Sequence, residues 1–141
     1  MNNLFNSDTS TLILRISLAT VLLAHSLYLK LVVFTLPGTA QYFSSIGLPE
    51  WLAYFVFLIE AIAGMALLLG FKTAFFSTLI IPVLLGATWA HSTNGWLFTN
   101  TGGGWEYPLL LTLMAVVQIG LGDGKYAIST YLPSRPQPTR S

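Results

Sequence analysis

The sequence predicts an all-α integral membrane protein, a four-helix bundle whose helices run antiparallel, up and down, with both termini in the cytoplasm. Composition is the first reason: the 141 residues are 54% hydrophobic and 8% charged, with a mean hydropathy of +0.70. Soluble domains carry roughly a quarter charged residues. The second reason is that four apolar segments approach the length of about 20 residues that a membrane-spanning helix needs. None of them shows the period-2 alternation of a membrane β-strand.

The four apolar segments are predicted to be helices at residues 11–36, 51–71, 73–91 and 104–122. The turn between the second and third is too short for anything but a tight reversal, so these two run antiparallel. The fourth is short and is expected to cross where the bilayer can thin, at a cost of fractions of a kcal/mol per Å. A cleaved signal peptide is not expected, because the first ten residues lack basic side chains. The proline-rich tail, 133–141, is predicted to be disordered, and 1–141 forms one membrane domain.

Basic residues set the predicted orientation, because cytoplasmic loops are enriched in Lys and Arg. They occur at the N-terminal flank, in the turn between segments two and three, and in the C-terminal tail: Arg15, Lys72, Lys125, Arg135 and Arg140. The two opposite loops, 37–50 and 92–106, contain neither Lys nor Arg. We therefore predict a multi-pass protein of the bacterial inner membrane.

Charge and cysteine content exclude several classes of function. The formal net charge is only +1, so the chain lacks the basic surface that binds nucleic acid. It has no cysteine, which excludes disulfides, thiolate metal sites, iron–sulfur clusters and covalent haem attachment. Any redox chemistry at this protein therefore needs a bound cofactor.

Ionisable residues inside the apolar segments are the candidate functional residues, because a charge at the bilayer centre costs a few kcal/mol. His25 and Glu60 lie midway along the first two segments, at similar depth. Lys30 lies roughly 7 Å nearer the outer surface at ~1.5 Å per residue, and about 140° round an α-helix from His25. Its ammonium can reach Glu60 or Glu106, or extend to the outer headgroups. His91 ends the third segment on the outer side.

These residues predict a pocket that opens outward between the helices. Glu60 and His25 are the candidate catalytic residues, since a carboxyl and an imidazole can exchange protons. The candidate ligand-binding residues are His91, Lys30, Trp96, Trp105 and Glu106. Simpler interpretations stay open: Glu60 is either protonated or paired with a cation, His25 can hydrogen-bond a backbone carbonyl, and His91 can lie in interfacial water. No metal or haem site is expected, because the two histidines differ in depth.

Together these motifs resemble the DoxX family of small four-helix membrane proteins. The resemblance rests on residues 23–30 (LAHSLYLK), 36–43 (LPGTAQYF), 47–49 (GLP), 60–64 (EAIAG), 89–96 (WAHSTNGW), 103–108 (GGWEYP) and 122–126 (GDGKY). The family often spaces this His and Lys by four residues, on one helical face, whereas here the spacing is five. The resemblance implies a membrane partner of a redox system, often quinone-linked.

The leading hypothesis is an inner-membrane protein that assists a redox pathway and binds a quinone or similar lipophilic ligand. His25, Glu60 and His91 would contact the ligand, with Lys30 as charge partner. Two alternatives remain: a non-catalytic membrane subunit that anchors a partner enzyme, and a small transporter or metal-handling protein. The expected partners are the lipid bilayer and a membrane or soluble redox enzyme, and a homo-oligomer is open.

Overall fold

A computed structural model describes residues 6–132, which form five α-helices and no strand. These are α1 (Ser7–Leu23), α2 (Leu36–Ser45), α3 (Glu50–Leu69), α4 (Thr73–Ala90) and α5 (Glu106–Leu121). A π segment, Ala24–Val33, continues α1 without a break, and short 3₁₀ turns lie at Ser92–Asn94 and Ile128–Tyr131. The all-α prediction is confirmed for this part of the chain. The predicted disordered tail, 133–141, lies outside the described residues.

Three of the helices are long and apolar enough to cross a membrane: Ser7–Val33, with 27 residues, Glu50–Leu69, with 20, and Thr73–Ala90, with 18. The fourth apolar helix, α5, has 16 residues. The last three predicted segments agree with the helices to within two residues at each end. The first does not, because α1 begins at Ser7, where the Asn6 side chain accepts the Thr9 N–H at 2.9 Å. Such caps satisfy an otherwise unpaired backbone donor.

The π segment changes which side chains share a helix face. Its hydrogen bonds join residues five apart, as where the Phe34 N–H donates to the Leu29 carbonyl at 2.8 Å. In this geometry two residues that are five positions apart are separated by about one helical turn. His25 and Lys30 line the same cavity but contact different neighbours, as the angle between them on the helix led us to expect: His25 packs on Tyr107 of α5 and Lys30 pairs with Glu60 of α3.

Helix α2 occupies the stretch that the sequence analysis treated as a loop. The chain leaves the π segment through Thr35, whose φ of 63° is unusual for a residue with a side chain. The Thr35 hydroxyl accepts the Gly38 N–H at 3.2 Å, and a proline occupies the first turn. Gly47, with a φ of 83°, ends the element. Helix α2 packs against α3 and the π segment, so it covers the end of these helices.

The apolar core joins the four long helices. It consists of buried side chains from each of them: Leu18, Ala19, Leu22, Ala63, Leu67, Ile80, Leu84, Leu111 and Ala115. Helices α1 and α3 approach closely at Gly64, where an added Cβ would lie 2.9 Å from the Leu23 side chain. Many large apolar side chains point outward, as lipid-facing side chains do, among them Val32, Trp51, Leu58, Phe75 and Leu113.

One end of the helices, here called the Asp123 end, is fastened by Arg15. This arginine lies within α1 and is only 2% exposed. Its two terminal nitrogens donate to the carbonyls of Asp123 and Tyr126, both at 2.8 Å. A Cβ on Gly70 would overlap the guanidinium, so only glycine fits there. Arg15, which the sequence analysis placed at the N-terminal flank of the first span, thus lies within α1, and its charge is buried against the segment that follows α5.

The Asp123 carboxylate completes this attachment. Its Oδ1 accepts the Thr73 N–H at 2.6 Å and the Thr73 hydroxyl at 2.7 Å, which caps the first turn of α4. Burial alone would raise the pKa of Asp123. Hydrogen bonds from Thr73 and Ser129, with the nearby charge of Arg15, overcome that effect and lower the pKa below its usual value. The carboxylate therefore stays ionised and ties the C-terminal segment to α4, while the backbone carbonyl of the same residue ties it to Arg15 of α1.

Candidate functional site

A large apolar cavity lies at the opposite end of the helices, here called the His91 end. Its volume is about 1300 Å³, and α2, the π segment, α3, α4 and the start of α5 all contribute to its wall. Binding pockets for small ligands are usually about 300–1,000 Å³, so this cavity has room for a ring and part of a long tail. The wall is mostly aliphatic and aromatic. Its acidic and basic side chains are His25, Lys30, Glu60 and His91.

Lys30 and Glu60 form an ion pair in this wall. The distance from Lys30 Nζ to Glu60 Oε2 is 2.6 Å, and the two side chains are only 15% and 8% exposed. Of the three placements open for Lys30, the structure selects Glu60 over Glu106 and over the headgroups. The pair fastens the π segment to α3. Because water is largely excluded, each charge depends on the other for its stabilisation.

His25 lies in the same wall and contacts α5. Its ring packs nearly parallel to that of Tyr107, with ring centroids 6.4 Å apart and an interplanar angle of 26°. Both rings line the cavity. His25 lies at the start of the π segment and Lys30 lies near its end. Because this segment has π geometry, both side chains line the same cavity. This arrangement places an imidazole beside the buried ion pair.

His91 enters the cavity from the end of α4 in a defined tautomer. Its Nδ1 lies 2.8 Å from the Ala87 carbonyl oxygen. A carbonyl can only accept, so Nδ1 carries the hydrogen and, in the neutral ring, Nε2 is an acceptor. Gly103 packs against the ring, since an added Cβ would lie 3.4 Å from Cδ2 and 3.8 Å from Nε2. His91 therefore offers the cavity a hydrogen-bond acceptor.

Trp96, Trp105 and Glu106 lie outside the cavity lining and organise the loop above it. The two indole rings meet edge to face, with centroids 4.4 Å apart. Glu106 Oε1 accepts the Phe98 N–H at 2.9 Å, and the Glu106 N–H donates to the Trp96 carbonyl at 3.1 Å. These contacts hold together the loop that brings Gly103 against His91. The structure thus brings four of the seven predicted site residues together and leaves these three beside the site.

Helix α2 contributes side chains that the sequence analysis did not assign to the site. Thr39, Tyr42 and Phe43 line the cavity together with Tyr107 of α5. A local signal was present, because a threonine followed two residues later by Pro37 is typical of a helix start. The low hydropathy of this stretch concealed it. Among residues 6–132, no group of three or more His, Asp or Glu side chains is placed to hold a metal ion.

The fold and the site define an all-helical membrane protein with an ion pair and two histidines in an apolar cavity. The DoxX family model matches residues 10–93, and the chain belongs to this family. It is 31% identical over 120 residues to a protein of Bacillus subtilis (strain 168) named "Putative oxidoreductase CatD". That alignment covers 85% of this chain and 84% of the relative. No solved structure matches the chain.

Proposed function

We propose that this DoxX-family protein assists a redox pathway of the bacterial inner membrane by binding a quinone or quinol in the cavity at the His91 end. One observation carries the proposal: the Lys30–Glu60 ion pair and two imidazoles line a single apolar cavity of about 1300 Å³. A ligand with a polar ring and a long apolar tail matches such a wall. The oxidoreductase name of the Bacillus subtilis relative points the same way.

The proposed membrane arrangement is an antiparallel bundle of four crossings with both termini in the cytoplasm. Lys72 and Lys125 lie at the Asp123 end, which the bias of basic residues assigns to the cytoplasm. Helix α5 is about 24 Å long at ~1.5 Å per residue, so it would cross where the bilayer is thinned. Because the native chain has no cysteine, single cysteines test this directly. Lys125→Cys should react with a membrane-impermeant thiol reagent only in inverted vesicles, and Thr99→Cys only in right-side-out cells.

The polar groups of the cavity suit a ligand that both accepts and donates hydrogen bonds. Lys30 uses one N–H on Glu60, and its others can donate to a ring carbonyl. The acceptor Nε2 of His91 matches a ring hydroxyl, as does the Glu60 oxygen that does not face Lys30. The cavity therefore fits a quinol through its acceptors and a quinone through its donor. Glu60 and His91 are the groups that would take up hydroxyl protons as a quinol is oxidised, with the electrons passing to a partner redox enzyme.

The test measures binding of a short-chain quinone and its quinol to protein purified in mild detergent. Glu60→Gln and His91→Ala should each weaken binding at least about tenfold, equivalent to about 1.4 kcal/mol. Glu106→Gln is the matched control, because this carboxyl bonds to the loop backbone outside the cavity lining. Retention equal to wild type in both cavity variants would rule out the proposal.

A second candidate function is a non-catalytic subunit that anchors a partner enzyme. Exposed apolar side chains after α5 favour it: Tyr126, Ile128, Tyr131 and Leu132 are all at least 41% exposed at the Asp123 end. In this case Tyr131→Ser should abolish co-purification with a soluble redox enzyme, while Glu60→Gln leaves it intact. Co-purification that survives Tyr131→Ser would remove this candidate.

A further inference from the structure

A layer of buried polar side chains lies one helical turn beyond the apolar core, toward the Asp123 end. Three core residues on three different helices are each 0% exposed and belong to one packed cluster: Leu18, Ile80 and Ala115. Along the sequence, Arg15 lies three residues before Leu18, and Ser77 lies three residues before Ile80. Gln118 lies three residues after Ala115. Residues three apart share a helix face. Given the direction of each helix, Arg15, Ser77 and Gln118 therefore form the next layer of the interior.

Each of these side chains carries one polar atom with no hydrogen-bond partner among the described residues. The atoms are Arg15 Nε, Ser77 Oγ and Gln118 Oε1. The remaining polar atoms of the two long side chains are occupied: the terminal nitrogens of Arg15 donate to Asp123 and Tyr126, and Gln118 Nε2 donates to the Gly122 carbonyl at 2.7 Å. The side chains are therefore held in place while a donor, an acceptor and a hydroxyl stay unpaired. Buried polar atoms of this kind nearly always have a partner.

We propose that this layer binds an internal water molecule that joins α1, α4 and α5. The three atoms form a complete set for one water. Arg15 Nε can only donate, Gln118 Oε1 can only accept, and the hydroxyl of Ser77 can do either. A water that accepts from the first, donates to the second and bonds to the third makes about three hydrogen bonds, the usual number for buried water. A metal cation is excluded by the arginine, and an anion by the glutamine oxygen.

This site is separate from the cavity at the His91 end. Leu18, Leu67 and Ile80 lie between the two and are each 0% exposed. The water site therefore does not depend on the proposed quinone function. Its role is to hold together the end of the molecule where Arg15 fastens the C-terminal segment.

The sign of a stability change tests the proposal in the full-length protein. Ser77→Ala should lower the unfolding midpoint in detergent, because it removes a partner of the bound water and no other hydrogen bond of the described residues. Gln118→Met should lower it more, because it also removes the donor to the Gly122 carbonyl. The double variant should lower it by less than the sum, since both changes act on the same molecule. If the atoms are simply unpaired, Ser77→Ala raises the midpoint or leaves it unchanged, and either result overturns the proposal.

Ser26→Ala is the matched control. Ser26 is also 0% exposed, but its hydroxyl donates to the Leu22 carbonyl of its own helix at 2.8 Å, so the midpoint should stay near that of wild type. A high-resolution crystal structure gives the second measurement. An oxygen within hydrogen-bonding distance of all three atoms is expected. A direct bond from Arg15 Nε to Gln118 Oε1, with no water at Ser77, would overturn the proposal.

Discussion

Removing one member of the Lys30–Glu60 pair should destabilise the protein far more than removing both. The two charged atoms are 2.6 Å apart and the side chains are 15% and 8% exposed, so each charge is largely withdrawn from water. Breaking a buried pair by removing one partner costs about 3–5 kcal/mol. We expect this loss for Lys30→Met, which leaves the Glu60 carboxyl alone in an apolar wall.

Two further variants test whether that loss of stability comes from the unpaired charge: Glu60→Gln, and the double replacement Lys30→Met with Glu60→Leu. Gln keeps a carbonyl oxygen that can still accept from Lys30, so Glu60→Gln should cost about 1–3 kcal/mol. Lys30→Met combined with Glu60→Leu removes both charges and retains comparable volume. Such replacements of a buried pair are often neutral or stabilising. The double variant should therefore recover most of the stability that Lys30→Met loses.

The assay is reversible unfolding in mixed detergent micelles, followed by circular dichroism, with all variants purified in the same detergent. Leu58→Met serves as control for a change of similar size on an exposed part of α3. A loss below about 1 kcal/mol for Lys30→Met would match an exposed ion pair and would refute the reasoning. A double variant as unstable as the sum of the two single variants would refute it equally.

Three further predictions concern the Asp123 end and the π segment. Gly70→Ala should lower the unfolding midpoint, because its Cβ would overlap the Arg15 guanidinium and φ is +74°, whereas Gly120→Ala, with open space around it, should not. The pKa of Asp123 is lowered on folding, so the ionised carboxylate stabilises the folded protein. This stabilisation is fully present above the unfolded pKa of about 3.9 and is lost as pH falls through the lower folded pKa. Asp123→Asn should flatten that acid limb of the stability profile, and an unchanged limb would contradict the assignment. Deleting Leu27 restores a spacing of four between the histidine and the lysine, and should keep the unfolding midpoint within about 1 kcal/mol of wild type because an α turn replaces the π turn. A loss of stability as large as the loss caused by deleting Thr20 from α1 would contradict this prediction.

The positions of the long helices could be predicted because each is an apolar run bounded by polar or turn residues. Gly70 and Lys72, both with positive φ, separate α3 from α4 where the sequence predicted a tight reversal. The deep acidic residue Glu60 was equally visible, since nothing near the bilayer centre can stabilise its charge except a partner. These features depend on local composition, which a sequence contains directly.

The π segment, helix α2 and the burial of Arg15 could not be predicted, because each depends on packing between distant parts of the chain. The apolar residues around Ala24–Val33 have no period that distinguishes i→i+5 from i→i+4 bonding. The two carbonyl oxygens that accept hydrogen bonds from Arg15 lie 108 and 111 residues away along the chain. A basic residue near the start of an apolar run therefore looked like an orientation signal, although its charge is satisfied by backbone carbonyls inside the protein.

The apolar core also determines the side from which the proposed site can exchange protons. Leu18, Leu67 and Ile80 fill the interior between Glu60 and the Asp123 end and are each 0% exposed. Closely packed side chains leave no room for a chain of water molecules. In the proposed function Glu60 would therefore exchange protons through the His91 end, where His25 and His91 are the imidazoles in the wall that would carry them. With the proposed topology, quinol oxidation in this cavity would release its protons on the outer side of the membrane.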